Sequence, residues 1–419
     1  MSHSVEIAGA IIFGLALLHT FLAKRFEVLA HRHPNHAGLF HFLGEVEVVF
    51  GFWALVLLIT MTAMAGPQQA LEYAESRVFT EPLFVFTIMV IAASKPILDA
   101  VTALVLGIAR ILPVDTRIAV CWLALTLIPL LGSFVTEPAA MTLAALILRD
   151  RVFGAPIAER WKYMTLGVLF VNVSIGGTLT AYAAPPVLMV ASAWGWDSAF
   201  LMAHFGWKSA VAVLVNATLL AVAMRRALTD VTGQGARETG GVAVPFGVTL
   251  VHVGFLVAVV LAAHHPVVFI GLLLFFLGFT HAYERYQSPL MLRESLLVAF
   301  FLGGLVVLGG LQQWWLQPIV ESMDAYALYG GALGLTAVMD NAAITYLGSL
   351  ITGMPDEAKY MLVGGAVAGG GLTVIANAPN PAGLAIVRKG FSDESVSVLG
   401  LLAAALGPTC VATMALLLL

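Results

Sequence analysis

Apolar stretches long enough to cross a lipid bilayer make up most of this chain, and short polar loops separate them. Of the 419 residues, 60% are hydrophobic and only 11% are charged, which gives a mean hydropathy of +0.96. A soluble protein of this length needs more polar residues to cover its surface. A spanning segment must satisfy its own backbone hydrogen bonds, so the stretches predict helices. We therefore expect an all-α polytopic membrane protein.

A polar stretch at 225–245 is the predicted cytoplasmic linker, and it divides the chain into two halves, 1–224 and 246–419. Each half is predicted to hold five transmembrane helices, one of them broken, and one re-entrant helical hairpin. The segments of the first half are scaffold helices within 1–108 (5–23, 43–64 and 83–108), a hairpin at 118–148, a broken helix at 162–191 and a helix at 199–224. Those of the second half are scaffold helices within 246–312, a hairpin at 326–351, a broken helix at 360–387 and a helix at 396–419.

Five crossings is an odd number, so the two halves are predicted to insert with opposite orientations, as inverted-topology repeats. The positive charges agree with this arrangement. With the N-terminus on the periplasmic side, all but four of the 20 Lys and Arg residues fall on the cytoplasmic side. The exceptions are Arg77 and Lys359 in outer loops and Lys95 and Lys208 within spans. The predicted location is a bacterial inner membrane.

One short motif occurs in both predicted hairpins. Residues 136–142 read Thr-Glu-Pro-Ala-Ala-Met-Thr and residues 339–345 read Met-Asp-Asn-Ala-Ala-Ile-Thr, so that Glu137 aligns with Asp340. A charged side chain at membrane depth costs roughly 3 kcal/mol even on the most lenient insertion scale. Two acids in matching positions therefore predict a functional site.

A second matched segment follows each motif. Gly176-Gly177-Thr178-Leu179-Thr180 leads to Pro185-Pro186, and Gly370-Gly371-Leu372-Thr373 leads to Asn377-Ala378-Pro379-Asn380. Hydrophobic segments interrupted by Gly and Pro at corresponding places in two halves are typical of transporter binding sites.

A buried acid can hold a proton or a metal cation but not both, which is the minimal requirement for cation/proton exchange. We expect Na⁺ to bind at Asp340, Asn341 and Glu137. Further predicted cation- or proton-binding residues supply hydroxyl or amide oxygens near the acids or at the helix breaks. They are Thr136, Thr142, Thr345, Thr178, Thr180, Thr373 and Asn377. The alternative for each hydroxyl is a hydrogen bond to a helix carbonyl, and for each acid a structural role.

Lys95 and Asp99 are four residues apart in the third predicted span, so they share a helix face. They are either an ion pair that ties helices together or a charge pair coupled to transport.

The two hairpin motifs, together with the Gly-Gly-x-Leu-Thr…Pro segments, resemble those of the ion transporter superfamily. That group includes divalent anion/Na⁺ symporters, arsenite permeases and a branch of bacterial Na⁺/H⁺ antiporters, and this chain is most similar to the antiporter branch. The resemblance implies a homodimer with a static scaffold, about 1–108 and 246–312, and a mobile domain that moves like an elevator.

The acids favour exchange of Na⁺ or Li⁺ for H⁺, because charges at both hairpin tips would repel an anion. The alternative is a proton- or sodium-coupled transporter of a small organic or inorganic anion. Ala184 and Val187 occupy the positions that match Asn377 and Asn380 of the second half. The sequence therefore leaves open whether there is one ion site or two. An intramembrane hydrolase is a third alternative, but the sequence lacks its motifs, and we predict no enzyme, no cofactor and no nucleic-acid partner.

Overall fold

A computed structural model describes residues 2–229 and 242–419. All regular secondary structure in these two ranges is helical. The predicted all-α class is confirmed for this part of the chain, whereas most of the predicted linker lies outside the described residues.

The helices of the first half lie within residues 3–229. They are α1 (His3–Arg32), α2 (Ala37–Gly44), α3 (Val46–Ala65), α4 (Pro67–Glu75), α5 (Thr80–Ala92), α6 (Lys95–Ile111), α7 (Thr116–Leu125), α8 (Leu127–Leu131), α9 (Glu137–Leu148), α10 (Glu159–Gly176), α11 (Pro185–Trp194), α12 (Ser198–Leu201) and α13 (Trp207–Thr229). A π-helical turn joins α12 to α13 without a break.

The helices of the second half lie within residues 246–418. They are α14 (Phe246–Leu261), α15 (Pro266–Ala282), α16 (Leu292–Gly309), α17 (Gln313–Glu321), α18 (Ala325–Thr336), α19 (Asn341–Ser349), α20 (Asp356–Gly369), α21 (Asn380–Val387) and α22 (Val398–Leu418).

Four short segments position the matched motifs. We name residues 132–137, between α8 and the start of α9, tip 1, and residues 337–341, between α18 and the start of α19, tip 2. The segment 177–184 between α10 and α11 is break 1, and 370–379 between α20 and α21 is break 2.

The segment predicted as one span, 83–108, consists of two helices with a bend between them. Helix α5 ends at Ala92, α6 begins at Lys95, and the two axes differ in direction by 64°. Pro96 stands in the first turn of α6. Proline fits the first turn of a helix but lacks the N–H that a helix interior requires, so the helix ends and restarts here.

Five helical segments in the described residues are long and apolar enough to cross a membrane, or six if the bent pair counts as one span. They are His3–Ala23 of α1, α3, the α12–α13 unit, α16 and α22. The chain is thus a multi-pass membrane protein. The other predicted crossings are shorter or interrupted helices, so ten crossings stay a prediction.

Buried apolar side chains form three large groups. The first joins α1, α3, α5 and α14–α16, with a few residues of α11 and α19 packed against it. The second joins α7–α10 and α13, and the third joins α11–α13, α18, α20 and α22. Most of the helices predicted as scaffold contribute to the first core, but α6, also predicted as scaffold, packs mainly in the second core through Val105 and Ala109.

Helices α3 and α16 pack backbone to backbone inside the first core. A Cβ atom on Gly304 would overlap the backbone of Phe50 and Gly51, and one on Gly51 would overlap the Phe300 ring. Small residues permit this close approach of helices in a membrane protein.

We predict that Gly304→Ala destabilises the protein by about 1–3 kcal/mol, because the added methyl group forces α3 and α16 apart. Thermal unfolding in detergent, followed by loss of the monodisperse size-exclusion peak, measures this. Gly14→Ala is the control, since a Cβ there meets nothing within 4 Å. Equal melting temperatures for both variants would contradict this packing.

Candidate functional site

Both tips are places where a helix begins with a side-chain cap. In tip 1 the cap is Thr136, whose hydroxyl accepts a hydrogen bond from the Ala139 N–H at 3.3 Å. In tip 2 the cap is Asp340, whose Oδ1 accepts from the Ala342 N–H at 2.8 Å. Short polar side chains are preferred at this position. The two aligned acids therefore differ: Asp340 caps its helix, whereas Glu137 follows the cap and its carboxyl group is free for other partners.

Glycine at each break lets a tip approach the broken helix. A Cβ on Gly177 would overlap Oε1 of Glu137. A Cβ on Gly370 would lie 2.7 Å from Nδ2 of Asn341 and would overlap Oγ of Ser174. Glycine has no Cβ and allows this contact.

Hydrogen bonds that run between the two halves of the chain join tip 1 to break 2 and tip 2 to α10. Nδ2 of Asn377, in break 2, donates to Oε2 of Glu137 at 2.9 Å. Nδ2 of Asn341, in tip 2, is 3.4 Å from Oγ of Ser174 in α10. In the repeat alignment, Ala184 occupies the position that matches Asn377 and has no side-chain amide. Asn377 of the second half supplies the amide that bonds Glu137 of the first half.

Several buried oxygen atoms in this region have no hydrogen-bond partner. They are Oε1 of Glu137, Oδ1 of Asn341, Oδ1 of Asn377, Oδ1 of Asn380 and Oγ1 of Thr142. Glu137 and Asn341 are 0% exposed and Asn377 is 1% exposed. Nearly all buried polar atoms in proteins are hydrogen-bonded, so a concentration of unpaired oxygens needs an explanation. Such oxygens can accept a proton or coordinate a hard cation.

The two acids differ in access. Asp340 is half-buried, whereas Glu137 is fully buried. Backbone N–H groups of Ala342 and Ala378 face the Asp340 carboxylate. One acid of the pair is thus accessible, and the other is enclosed by protein.

Four of the predicted threonines donate their hydroxyl hydrogens to backbone carbonyl oxygens. The bonds are Thr178 to Ile175 (2.8 Å), Thr180 to Ser133 (2.5 Å), Thr345 to Ala342 (3.2 Å) and Thr373 to Ala337 (2.8 Å). The bonds of Thr180 and Thr373 tie each tip to the break of its own half. These hydroxyls hold the backbone in place, and their role as cation ligands stays a prediction.

Two further residues shape the site, and our predicted set did not include them. Ser133 donates to the Gly176 carbonyl at 2.7 Å and accepts from the Leu179 N–H at 2.9 Å, which joins tip 1 to break 1. Nδ2 of Asn380 donates to two carbonyl oxygens of break 2, at 2.8 and 2.9 Å. The sequence does contain a sign of both residues, because each is a polar side chain next to Gly or Pro in an apolar stretch.

Lys95 and Asp99 form an ion pair with each other at the start of α6. The Asp99 side chain is 48% exposed, so the pair is not deeply buried. The described contacts do not join the pair to the tips or the breaks, and its predicted coupling role stays a prediction.

Among residues 2–229 and 242–419, no group of three or more His, Cys, Asp and Glu side chains is arranged to hold a metal ion. The candidate site is therefore built of two carboxyl groups with amide, hydroxyl and backbone groups around them.

Comparison with known proteins gives the family. No curated protein matches the chain. A family model described as "Putative Na+/H+ antiporter" matches residues 4–419, nearly the whole chain, and so confirms the resemblance that the hairpin motifs indicated. These proteins are transporters and not enzymes. The chain therefore belongs to this family of Na⁺/H⁺ antiporters.

Proposed function

We propose that the protein exchanges Na⁺ or Li⁺ for H⁺ across the bacterial inner membrane, at one composite site where tip 1 meets break 2. The observation that carries this proposal is the hydrogen bond between Asn377 and Glu137, which leaves Oε1 of Glu137 and Oδ1 of Asn377 buried without partners.

The oxygens of this composite site suit a small cation. Hard cations prefer carboxylate, amide and backbone carbonyl oxygens. Glu137, Asn377 and Asn341 supply such atoms, and Asn341 adjoins the second acid, Asp340. These oxygens come from both halves of the chain, and the two halves contribute different groups. We therefore propose a single site with ligands from both halves, in place of two equivalent sites with one in each repeat.

A proton competes with the cation for the same carboxyl group. An ionised Glu137 without a cation would be a buried charge with a single amide donor, which is costly. Either Na⁺ or a proton removes that cost, so uptake of one displaces the other. Half-buried Asp340 is the group at which ions exchange with solution.

We further propose inverted repeats and an elevator-like movement. Reciprocal packing supports the repeats, because α11 of the first half packs against α19 of the second, and α21 packs against α9. The separate cores support a static body of α1, α3, α5 and α14–α16 beside a body that carries both tips and both breaks. Small side chains at the boundary, Ala342 and Ala343 of α19, would permit sliding.

The remaining parts of the proposal concern orientation and assembly. The distribution of Lys and Arg favours a periplasmic N-terminus and a cytoplasmic linker. Exposed apolar side chains on α14 and α15, such as Leu261 and Val267, offer a surface for lipid or for the second subunit of the homodimer that the resemblance implies.

Neutralising either acid should abolish exchange. In proteoliposomes with a preset pH gradient, Na⁺ should dissipate the gradient for wild type, and Glu137→Gln should be at least about 100-fold slower, since a lost buried charge costs roughly 3 kcal/mol or more. Asp340→Asn should also lose exchange, although asparagine still caps α19.

Glu357→Gln makes the same charge change at an exposed position of α20 and should exchange at the wild-type rate. A wild-type protein that gives no response to Na⁺ or Li⁺ would contradict the proposed function, and screening would then turn to small carboxylates.

Competition predicts a specific pH dependence. Lowering the pH on one side should raise the apparent KM for Na⁺ on that side while Vmax changes little, by up to about tenfold per pH unit when one proton competes with one cation. Initial rates at several Na⁺ concentrations and pH values measure this. A KM independent of pH, with Vmax falling instead, would show that proton and cation do not share a site.

A further inference from the structure

A cavity of about 710 Å³ lies at one end of the helix bundle. Its walls come from the start of α1, from α4 and the segment after it, from the end of α16 and from α17. Helices α1, α3 and α16 contain candidate membrane spans, and the cavity lies where these spans begin or end. None of the described residues that line it belongs to a tip or a break. The cavity is therefore at a membrane surface and separate from the composite site.

The guanidinium group of Arg77 is fixed in the wall of this cavity. Its central carbon lies 4.5 Å from the centroid of the Tyr73 ring, and Nη2 donates to Oγ of Ser76 at 2.9 Å. A Cβ atom on Gly310 would overlap Nη1 of Arg77, so the glycine leaves the space that the guanidinium occupies. An aromatic face and a hydroxyl acceptor hold an arginine in one orientation. The donor group is thus positioned before any ligand binds.

Arg77 has no carboxylate partner. None of the ion pairs among residues 2–229 and 242–419 includes it. Lys359, the other basic residue predicted in an outer loop, is 2.7 Å from a carboxylate oxygen of Asp356. The charge bias of membrane proteins disfavours basic residues on the outer side, so an unpaired arginine there requires a reason. Arginine binds phosphate groups through two parallel hydrogen bonds, which makes a phosphate the fitting ligand.

Two carboxylates line the same cavity and would repel an isolated phosphate. Oε2 of Glu6 is 3.1 Å from Nδ1 of His3, and Oε1 of Glu321 accepts from Nε2 of Gln317. Each carboxylate keeps further acceptor sites, which suit the N–H groups of an ammonium ion. Trp314, which also lines the cavity, is 42% exposed, and tryptophan is enriched at the level of lipid headgroups. One guanidinium with two carboxylates matches a zwitterion that carries a phosphate and an ammonium group.

We propose that this cavity binds the phosphoethanolamine headgroup of a membrane phospholipid. The phosphate lies at Arg77, and the primary ammonium group lies at the carboxylates of Glu6 and Glu321. A phospholipid is the occupant because the cavity is at the surface of a bilayer, where such headgroups surround the protein. The inference does not depend on Na⁺/H⁺ exchange, so its failure would leave the proposed function unchanged.

Binding to the wild-type protein tests the ligand class. The full-length protein, purified in detergent and stripped of lipid, would be titrated with short-chain phosphatidylethanolamine or phosphatidylglycerol, and bound lipid counted by native mass spectrometry. One phosphatidylethanolamine should bind, and phosphatidylglycerol, which lacks the ammonium group, should bind about fivefold or more weakly. Equal affinities for the two lipids would overturn the proposal. Displacement of the lipid by an equal concentration of free phosphoethanolamine would show a soluble ligand and overturn the lipid assignment.

Variants test the residues. Arg77→Gln should weaken binding of phosphatidylethanolamine about tenfold or more, because hydrogen bonds to a charged group are lost. Arg77→Lys keeps the charge without the planar fork and should give a smaller loss. Glu321→Gln should weaken binding of phosphatidylethanolamine but not of phosphatidylglycerol.

Lys359→Gln is the matched control, since it removes a basic side chain that already has a carboxylate partner. Wild-type affinity in Arg77→Gln, or an equal loss in Lys359→Gln, would overturn the site. If Arg77→Gln loses its monodisperse size-exclusion peak, the comparison of the two lipids on wild type decides the proposal.

Discussion

The hydrogen bond from Asn377 to Glu137 is the contact on which the candidate site depends. It joins a fully buried acid of the first half to the broken helix of the second half. A buried carboxylate is tolerated only when charge or hydrogen bonds compensate it, and one amide donor is a weak compensation. The Glu137 carboxylate therefore needs either a proton or a metal cation to neutralise it. An exchanger alternates between these two states.

The backbone around this bond is irregular for the same reason. Gly177 and Gly370 admit the tips to the broken helices, and prolines start the helices that follow. Irregular backbone at membrane depth must be enclosed by protein or line a water-filled cavity. Here the hydroxyls of Thr180 and Thr373 and the amide of Asn380 bond carbonyls of the tips and breaks. The polar side chains thus stabilise the breaks, which leaves a smaller set of oxygens for ions.

Much of this arrangement could be predicted from the sequence, because its signals are local. Apolar length predicts helices, acids in apolar stretches predict a site, and Gly and Pro predict where helices end. The bend at Pro96 was missed because the apolar stretch continues through it. The pairing of Glu137 with Asn377 could not be predicted, since residues 240 positions apart meet only through the packing of helices from both halves. Alignment of the repeats showed only that Ala184 occupies the place that matches Asn377, and it left the number of ion sites open.

Na⁺ binding with proton release tests the composite site most directly. Purified protein in weakly buffered detergent solution would be titrated with NaCl while bound Na⁺ and released H⁺ are both recorded. Wild type should release protons as Na⁺ binds, and Asn377→Ala should bind Na⁺ about tenfold or more weakly, because it loses a hydrogen bond to a charged group worth roughly 1.5–3 kcal/mol. Asn35→Ala, at an exposed position of a short 3-10 helix, should match wild type. Wild-type affinity and proton release in Asn377→Ala would contradict a site shared between the halves.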